Sequence, residues 1–261
     1  MNEQTIIDFS AHIAVQLAPA FPVQAAMLQK NLRRYSATLQ FLDGQLGAAF
    51  RGQVLDYGCG YPLFLRLLRD CHFGAVGYEP YAGPDHCKVA ACLGLSGSYF
   101  TTLPPEAQFD VVTMIDVIEH LSILRPTMTD IIGRIRPGGH LVISTPNGLR
   151  LSQWLAYVRR KTAHPTAIDK FLETDDNYTD HQREFTRAEL ALTVRHYGLE
   201  LISLICVDTM PSRRDLSQYH KLLGKSDERT PWRTHVREFL QRILPANWQN
   251  NFLLLARKPT L

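Results

Sequence analysis

VLDYGCGYPLFLRLL spans residues 54–68. An apolar run reaches an acid, Asp56, passes Gly58 and Gly60, then meets Pro62 and a stretch with helical spacing of leucines. That order predicts a buried strand, a tight loop and a helix. Pro62 suits the first helical turn, where a missing N–H removes no intrahelical bond. A dinucleotide fingerprint would carry a third glycine where Leu63 stands, and no Gly-Lys-Ser/Thr follows to make a phosphate loop. Asp56 would sit badly beside a pyrophosphate. It suits a ligand with a positive group.

The same rhythm continues outward. GAVGYEP (74–80) reads as the next strand, followed by a helix near 84–93, a weak strand around Ser98 to Thr101, and a strong strand in FDVVTMID (109–116). A helix follows from about Ile123 to Arg136. GGHLVISTPN (138–147) is another strand, entered through Pro137-Gly138-Gly139, which reads as a turn. The pattern pauses over 148–180 and resumes at 185 in FTRAELALTVRHYGLELISLICV. There Thr186 and Glu189 form a capping box, Gly198 ends the helix and a strand follows. Residues 209–248 are irregular, basic and partly helical, and NNFLLLARKP (250–259) closes the chain as a final strand. Ahead of the first strand, residues 3–20 and 23–48 read as helices separated by Pro22. Strands alternating with helices predict an α/β chain whose parallel sheet is covered on both faces.

Bulk properties narrow the function. The chain has 261 residues, 45% hydrophobic and 20% charged, which is ordinary for a globular protein with a sizeable core. A net charge of +3 is too mild to argue for nucleic acid. The five cysteines, Cys59, Cys71, Cys87, Cys92 and Cys206, show no CxxC spacing and read as free thiols. No apolar run approaches the roughly 20 residues of a membrane span. The first residues lack the basic and apolar regions of a signal peptide, so a cytoplasmic location is expected.

In open parallel sheets the ligand lies beyond the carboxyl ends of the strands, where strand order reverses. The loop Asp56 to Pro62 belongs there. So does Glu79, at the end of the second strand, where a carboxylate can accept hydrogen bonds from a ribose diol. An adenosine-type ligand with cationic charge and no phosphate answers both acids. S-adenosylmethionine is that ligand.

VLDYGCG, VGYEP, FDVVTMIDVIEHL and IRPGGHLVISTPN, in this order, resemble the successive motifs of class I S-adenosylmethionine-dependent methyltransferases. The likeness covers roughly 30–258. It is greatest to the branches that hold ubiquinone-biosynthesis O-methyltransferases and glycan-modifying enzymes, which share EHL after the fourth strand and HxxxFT before the late helix. The resemblance implies a single domain with a Rossmann-like, seven-stranded, mostly parallel sheet whose last strand is antiparallel. Its parts would be N-terminal helices (1–48), a cofactor-binding core (49–147), an inserted cap (148–180) and a C-terminal part (181–261) carrying the basic insertion at 209–248.

Carried over residue by residue, Asp56, Gly58 and Gly60 would line the methionine part of the cofactor and Glu79 the ribose. Ile115 and Asp116 would flank the sulfonium. Arg34 would lie near the cofactor carboxylate, with Arg33 nearly as eligible. The third strand, which in this family often brings an acid or amide to adenine, here offers Tyr99, Phe100 and Thr101, so adenine would be held by stacking and backbone contacts.

On the acceptor side, His181 is the candidate general base, or simply a residue closing the insertion. His120 is either a second site residue or a packing histidine. His86, His140 and His164 are weaker candidates. No metal site is assigned, and ETDDNYTD (173–180) reads as a solvated loop. LSQWLAYVRRK (151–161) reads as a lid helix, or as a weak contact with anionic lipid. The expected reaction is methyl transfer to a hydroxyl of a sugar, glycolipid or other small acceptor, giving S-adenosyl-L-homocysteine. The alternatives are a quinone-like or phenolic acceptor, or a non-catalytic protein that kept the fold; nucleic acid is not expected as a partner.

Overall fold

The computed structural model describes residues 2–47, 50–151, 158, 181–209, 222 and 248–260. Most of the expected cap, His164, the acidic stretch 173–180, most of 151–161 and nearly all of the basic stretch 209–248 lie outside the described residues.

Two helices lead the chain, α1 (Glu3–Leu17) and α2 (Pro22–Leu46). Asn2 caps α1 by accepting from the Thr5 amide, and Pro22 opens α2 at its first position. The core follows as β1 (Gln53–Tyr57), α3 (Leu63–Asp70), β2 (Gly74–Tyr78), α4 (Pro84–Cys92), β3 (Tyr99–Phe100), β4 (Phe109–Ile115), α5 (Leu124–Arg134) and β5 (Ile135–Pro146). Pro62 caps α3 rather than occupying its first turn. After the insertion come α6 (Arg187–His196), β6 (Glu200–Val207) and β7 (Asn251–Arg257).

The strands form one sheet in the order β3-β2-β1-β4-β5-β7-β6. All run parallel except β7, which lies antiparallel to β5 and β6. Alternation along the strands sorts side chains to two faces. Val54, Val111, Val142 and Leu253 pack in one cluster with residues of α1–α4, while Leu55, Val112, Ile143 and Leu254 pack in another with residues of α5 and α6. The sheet is therefore buried on both sides, as continuous apolar strands require.

One expectation needs correction. Pro137-Gly138-Gly139 is not a turn ahead of a strand but an excursion inside β5. Ile135 already pairs with Phe109, and the ladder resumes with His140 opposite Val111. Gly138, at φ +77, donates to the Lys258 carbonyl, and the Lys258 amide returns a bond to the Gly139 carbonyl. A bulge of this kind re-aims a strand without ending it.

The insertion leaves and rejoins the sheet at one place. Asn147 bridges Phe185, and the Gly148 amide donates to the Phe185 carbonyl at 2.9 Å. The helix that follows starts with the expected box: Glu189 N–H donates to Thr186 Oγ1, and Thr186 N–H to Glu189 Oε2. Thr186→Ala should therefore lower unfolding stability by about 1 kcal/mol, read from urea denaturation. A loss under a few tenths would show that the cap is idle.

Candidate functional site

β1 lies between β2 and β4, so the chain departs in opposite directions from the middle of the sheet. In open α/β sheets the ligand crevice lies beyond the carboxyl ends of the strands at such a point, here those of β1 and β4. The loop between β1 and α3 crosses it with Gly58 at φ +71 and Gly60 at φ +50, a region that side chains other than glycine seldom adopt. Its backbone is stitched to the neighbouring strand ends. Gly58 and Cys59 amides both donate to the Tyr78 carbonyl, at 2.8 and 3.2 Å. The Gly60 amide donates to Glu79 Oε2 at 2.9 Å, and the Tyr81 amide to Glu79 Oε1 at 3.1 Å. Each carboxylate oxygen keeps a further lone pair for a ligand hydroxyl. The Tyr99 hydroxyl donates to the Gly60 carbonyl at 3.1 Å and braces the loop. Phe100 remains exposed.

Asp56 lies in β1 beside Thr113 of β4, and Arg34 reaches Asp116 just beyond β4. Asp56 is 2% exposed; Thr113 Oγ1 donates to its Oδ1 at 2.9 Å, while Oδ2 is buried with no partner. Burial pushes the Asp56 carboxyl up to about 7, against the Thr113 hydrogen bond and with a smaller push from the Glu79 charge. Arg34 forms an ion pair with Asp116, which stands at φ +54 just beyond β4. Arg34 Nε and Asp116 Oδ1 are likewise buried and without a partner. Arg33 is exposed, so of the two arginines Arg34 belongs to the crevice. Ile115, the last residue of β4, is half-buried beside it.

A second cluster lies at the ends of β4 and β5. Ile118–His120 form a single 3-10 turn, and the Glu119 carbonyl accepts from the amides of Gln182 and Arg183 at 2.7 and 3.1 Å. Those bonds bring His181 to His120, with ring centroids 4.9 Å apart and planes at 83°. Glu119 is fully buried. Its Oε2 accepts from the Thr145 hydroxyl at 2.8 Å, and its Oε1 has no hydrogen-bond partner. Burial pushes the Glu119 carboxyl upward, while the charges of His181 and Arg34 work the other way. His181 Nδ1 lies 3.2 Å from Glu184 Oε1, and Arg150 grips the same carboxylate with both terminal nitrogens. The hydrogen bond that His181 gives to the Glu184 carboxylate raises the His181 pKa. For Glu184, burial is outweighed by the bonds from His181 and Arg150, which bring it down to about 2.

The structure thus places Asp56, Gly58, Gly60, Glu79, Ile115 and Asp116 at the carboxyl ends of β1, β2 and β4, pairs Arg34 with Asp116, and sets His120 and His181 side by side. Two weaker candidates have other partners. His86 stacks on Tyr61 at 4.2 Å and accepts from the Gly83 amide; His140 pairs with Val111 at the far end of the sheet. Thr113, Thr145, Glu119, Glu184 and Arg150 were not singled out from sequence. Only the acid preceding His120 carried a signal that could have marked one of them. The five cysteines are free thiols.

The crevice fits the amino-acid end of S-adenosylmethionine. A buried carboxylate oxygen and a buried guanidinium nitrogen, both without partners, complement an ammonium and a carboxylate respectively.

Comparisons with known proteins bear on the fold and the cofactor. A family model described as a methyltransferase domain matches residues 27–204. The ubiquinone biosynthesis O-methyltransferase of Rickettsia bellii is 28% identical over 116 residues, which is 41% of this chain and 47% of that protein. The chain spans about half the length of the curated relatives it matches. Among solved structures, an S-adenosylmethionine dependent methyltransferase from Mesorhizobium loti superposes with a TM-score of 0.55 at 14% identity, covering 85% of this chain and 97% of that one. The 1,6-didemethyltoxoflavin-N1-methyltransferase of Burkholderia thailandensis gives 0.51 at 15% identity, covering 86% and 78%; these two likenesses establish the fold. The chain belongs to the methyltransferase-domain family, an S-adenosylmethionine-dependent class.

Proposed function

We propose that this methyltransferase methylates a hydroxyl of a sugar, a glycolipid or another small acceptor. One observation carries the cofactor side: three buried polar atoms without partners, on Asp56, Arg34 and Asp116, line the crevice at the strand reversal. Asp56 accepts the cofactor ammonium, Arg34 its carboxylate, and Glu79 the ribose hydroxyls. S-adenosylmethionine supplies the activated methyl group.

The chain's own work is alignment in a dry pocket. Gly58 and Gly60 let the loop backbone approach closely, and Asp116 with Ile115 borders the reacting end. The Glu119, His120 and His181 cluster, at the ends of the same strands, is the group available to take an acceptor proton. A hydroxyl of high pKa gains from such a group, whereas an acidic acceptor does not need it. The O-methyltransferase relative favours oxygen over nitrogen. It also supports the second reading, a quinone-like or phenolic acceptor. Residues 151–161 are proposed to contact anionic lipid when the acceptor is membrane-borne.

Glu79→Ala tests the cofactor geometry. The substitution removes the diol acceptor and also frees the Gly60 and Tyr81 amides. Calorimetric titration with S-adenosylhomocysteine should show at least a tenfold loss of affinity, about 1.4 kcal/mol. Unchanged affinity would remove Glu79 from the site.

A further inference from the structure

We propose that the Thr113 hydroxyl is a two-position donor that ties cofactor capture to release of a proton from Asp56, which makes Thr113 a positioning residue for the cofactor's ammonium. The inference rests on the reading that Asp56 accepts that ammonium.

The geometry comes from the strands. Asp56 of β1 and Thr113 of β4 are register partners in a parallel pair, so their side chains leave the sheet on one face. Thr113 is fully buried, and its Oγ1 lies 2.9 Å from Asp56 Oδ1 and 3.3 Å from the Leu55 carbonyl oxygen. A hydroxyl has one hydrogen to give and two lone pairs to accept with. Two acceptors therefore compete for that hydrogen, and the charge on Asp56 decides between them. Against an ionised carboxylate the hydrogen goes to Oδ1, where a charge-assisted bond is stronger than one to a neutral carbonyl. Against a protonated Asp56 the roles turn. The acid then donates from Oδ1 to Thr113 Oγ1, and Thr113 gives its hydrogen to Leu55. In either state Oδ2 stays buried and without a partner.

That oxygen makes the two states unequal. As part of a charged carboxylate it is costly to bury unpaired; as the carbonyl oxygen of a neutral acid it costs less. Burial accordingly pushes the Asp56 carboxyl up to about 7, with Thr113 holding it down. Below that pH the ligand-free site keeps the proton. When the ammonium reaches Oδ2, the Asp56 O–H bond breaks, the proton goes to the buffer, and Thr113 turns from Leu55 to Oδ1. The ammonium brings the charge that balances the new carboxylate.

Among the described residues, Glu79, Tyr35 and Cys59 share an electrostatic interaction with Asp56. Glu79, beyond β2, only adds to the upward push on Asp56, while two backbone amides hold it. Neither of the others supplies the proton. Burial pushes Tyr35 of α2 up to about 12 and lifts the Cys59 thiol of the loop well above its ordinary value. Arg34, next to Tyr35, is paired with Asp116.

The test is calorimetric titration with S-adenosylhomocysteine at pH 6, 7 and 8, each in two buffers of different ionisation enthalpy, which counts the protons exchanged. The wild type should release about 0.9 proton at pH 6 and about 0.1 at pH 8. Thr113→Val keeps the branched shape and loses the donor. It should move the midpoint of the affinity profile up by about one pH unit or more and raise the release at pH 8 to about half a proton. Thr113→Ser should restore the wild-type midpoint and count, which a packing role alone would not do. Whether or not the valine variant folds, the wild-type count tests the proton release. No proton released at pH 6, or a valine variant with the wild-type midpoint and count, would overturn the switch. Asp56→Asn separates that outcome from failure of the ammonium reading. Weak binding without pH dependence or proton release keeps the reading, whereas wild-type affinity in that variant removes Asp56 from the ammonium and the switch with it.

Discussion

Affinity for S-adenosylhomocysteine should rise with pH up to about 7 and level off above it. The cause is Asp56, whose carboxyl burial pushes up to about 7 in the ligand-free protein. A protonated Asp56 cannot take the ligand's ammonium as a counter-ion, so proton and ligand compete for one oxygen. Well below the transition the affinity falls by up to tenfold per pH unit. The sign for stability is opposite. A carboxyl with a raised folded-state pKa makes the ligand-free fold lose stability as pH climbs from ~4, the unfolded value, to about 7. The ligand's positive charge recovers that loss. Asp56→Asn should therefore bind roughly a hundredfold more weakly at pH 8, about 2.7 kcal/mol, with no pH dependence below 7. It should also unfold at no lower denaturant concentration than the wild type at pH 8, because it no longer buries a charge. Calorimetry between pH 5.5 and 8.5 reads the first effect and urea denaturation the second. A wild-type affinity flat across that range would remove Asp56 from the ammonium's binding place.

Gly58→Val should abolish detectable binding and cost about 2–5 kcal/mol of stability. Two effects coincide at this position. The backbone is in the left-handed region at φ +71, and an added Cβ would lie 2.8 Å from Val117 Cγ2. Val117 stands between Asp116 and the turn that holds Glu119, so relief of the clash shifts both halves of the site. Gly94→Ala is the control. It has a similar φ of +69 but nothing within 4 Å of an added Cβ. That variant should lose about 1–2 kcal/mol and keep its affinity. Equal binding by the Gly58 variant would show that the loop does not touch the ligand.

What was legible in the sequence was local and periodic. Asp56, Gly58, Gly60 and Glu79 follow strand ends within a few residues, so the sheet's own geometry carries them to the crevice. Arg34 was legible only by resemblance, since a long helix gives no hint of which arginine turns inward; its pairing with Asp116 decides it. The Pro-Gly-Gly stretch misled because turn residues describe local dihedrals. They do not say whether the flanking residues stay in the ladder, as Ile135 does opposite Phe109. Tyr99 faces the loop because β3 is only two residues long and its pairing sets the direction. The Glu119–His181–Glu184 arrangement depends on contacts across more than sixty positions, and no spacing rule reports that Glu119 is buried with one oxygen unsatisfied.

The proposed occupant of the crevice between β1 and β4 is a phosphate-free adenosyl ligand that carries an ammonium group. Calorimetric titration of the wild-type protein at pH 8 with S-adenosylhomocysteine, beside reduced nicotinamide dinucleotide, tests it most directly. The expected result is one site per chain with a micromolar Kd for the former and no measurable heat of binding for the latter. No binding of S-adenosylhomocysteine by folded protein, or equal binding of the dinucleotide, would contradict it.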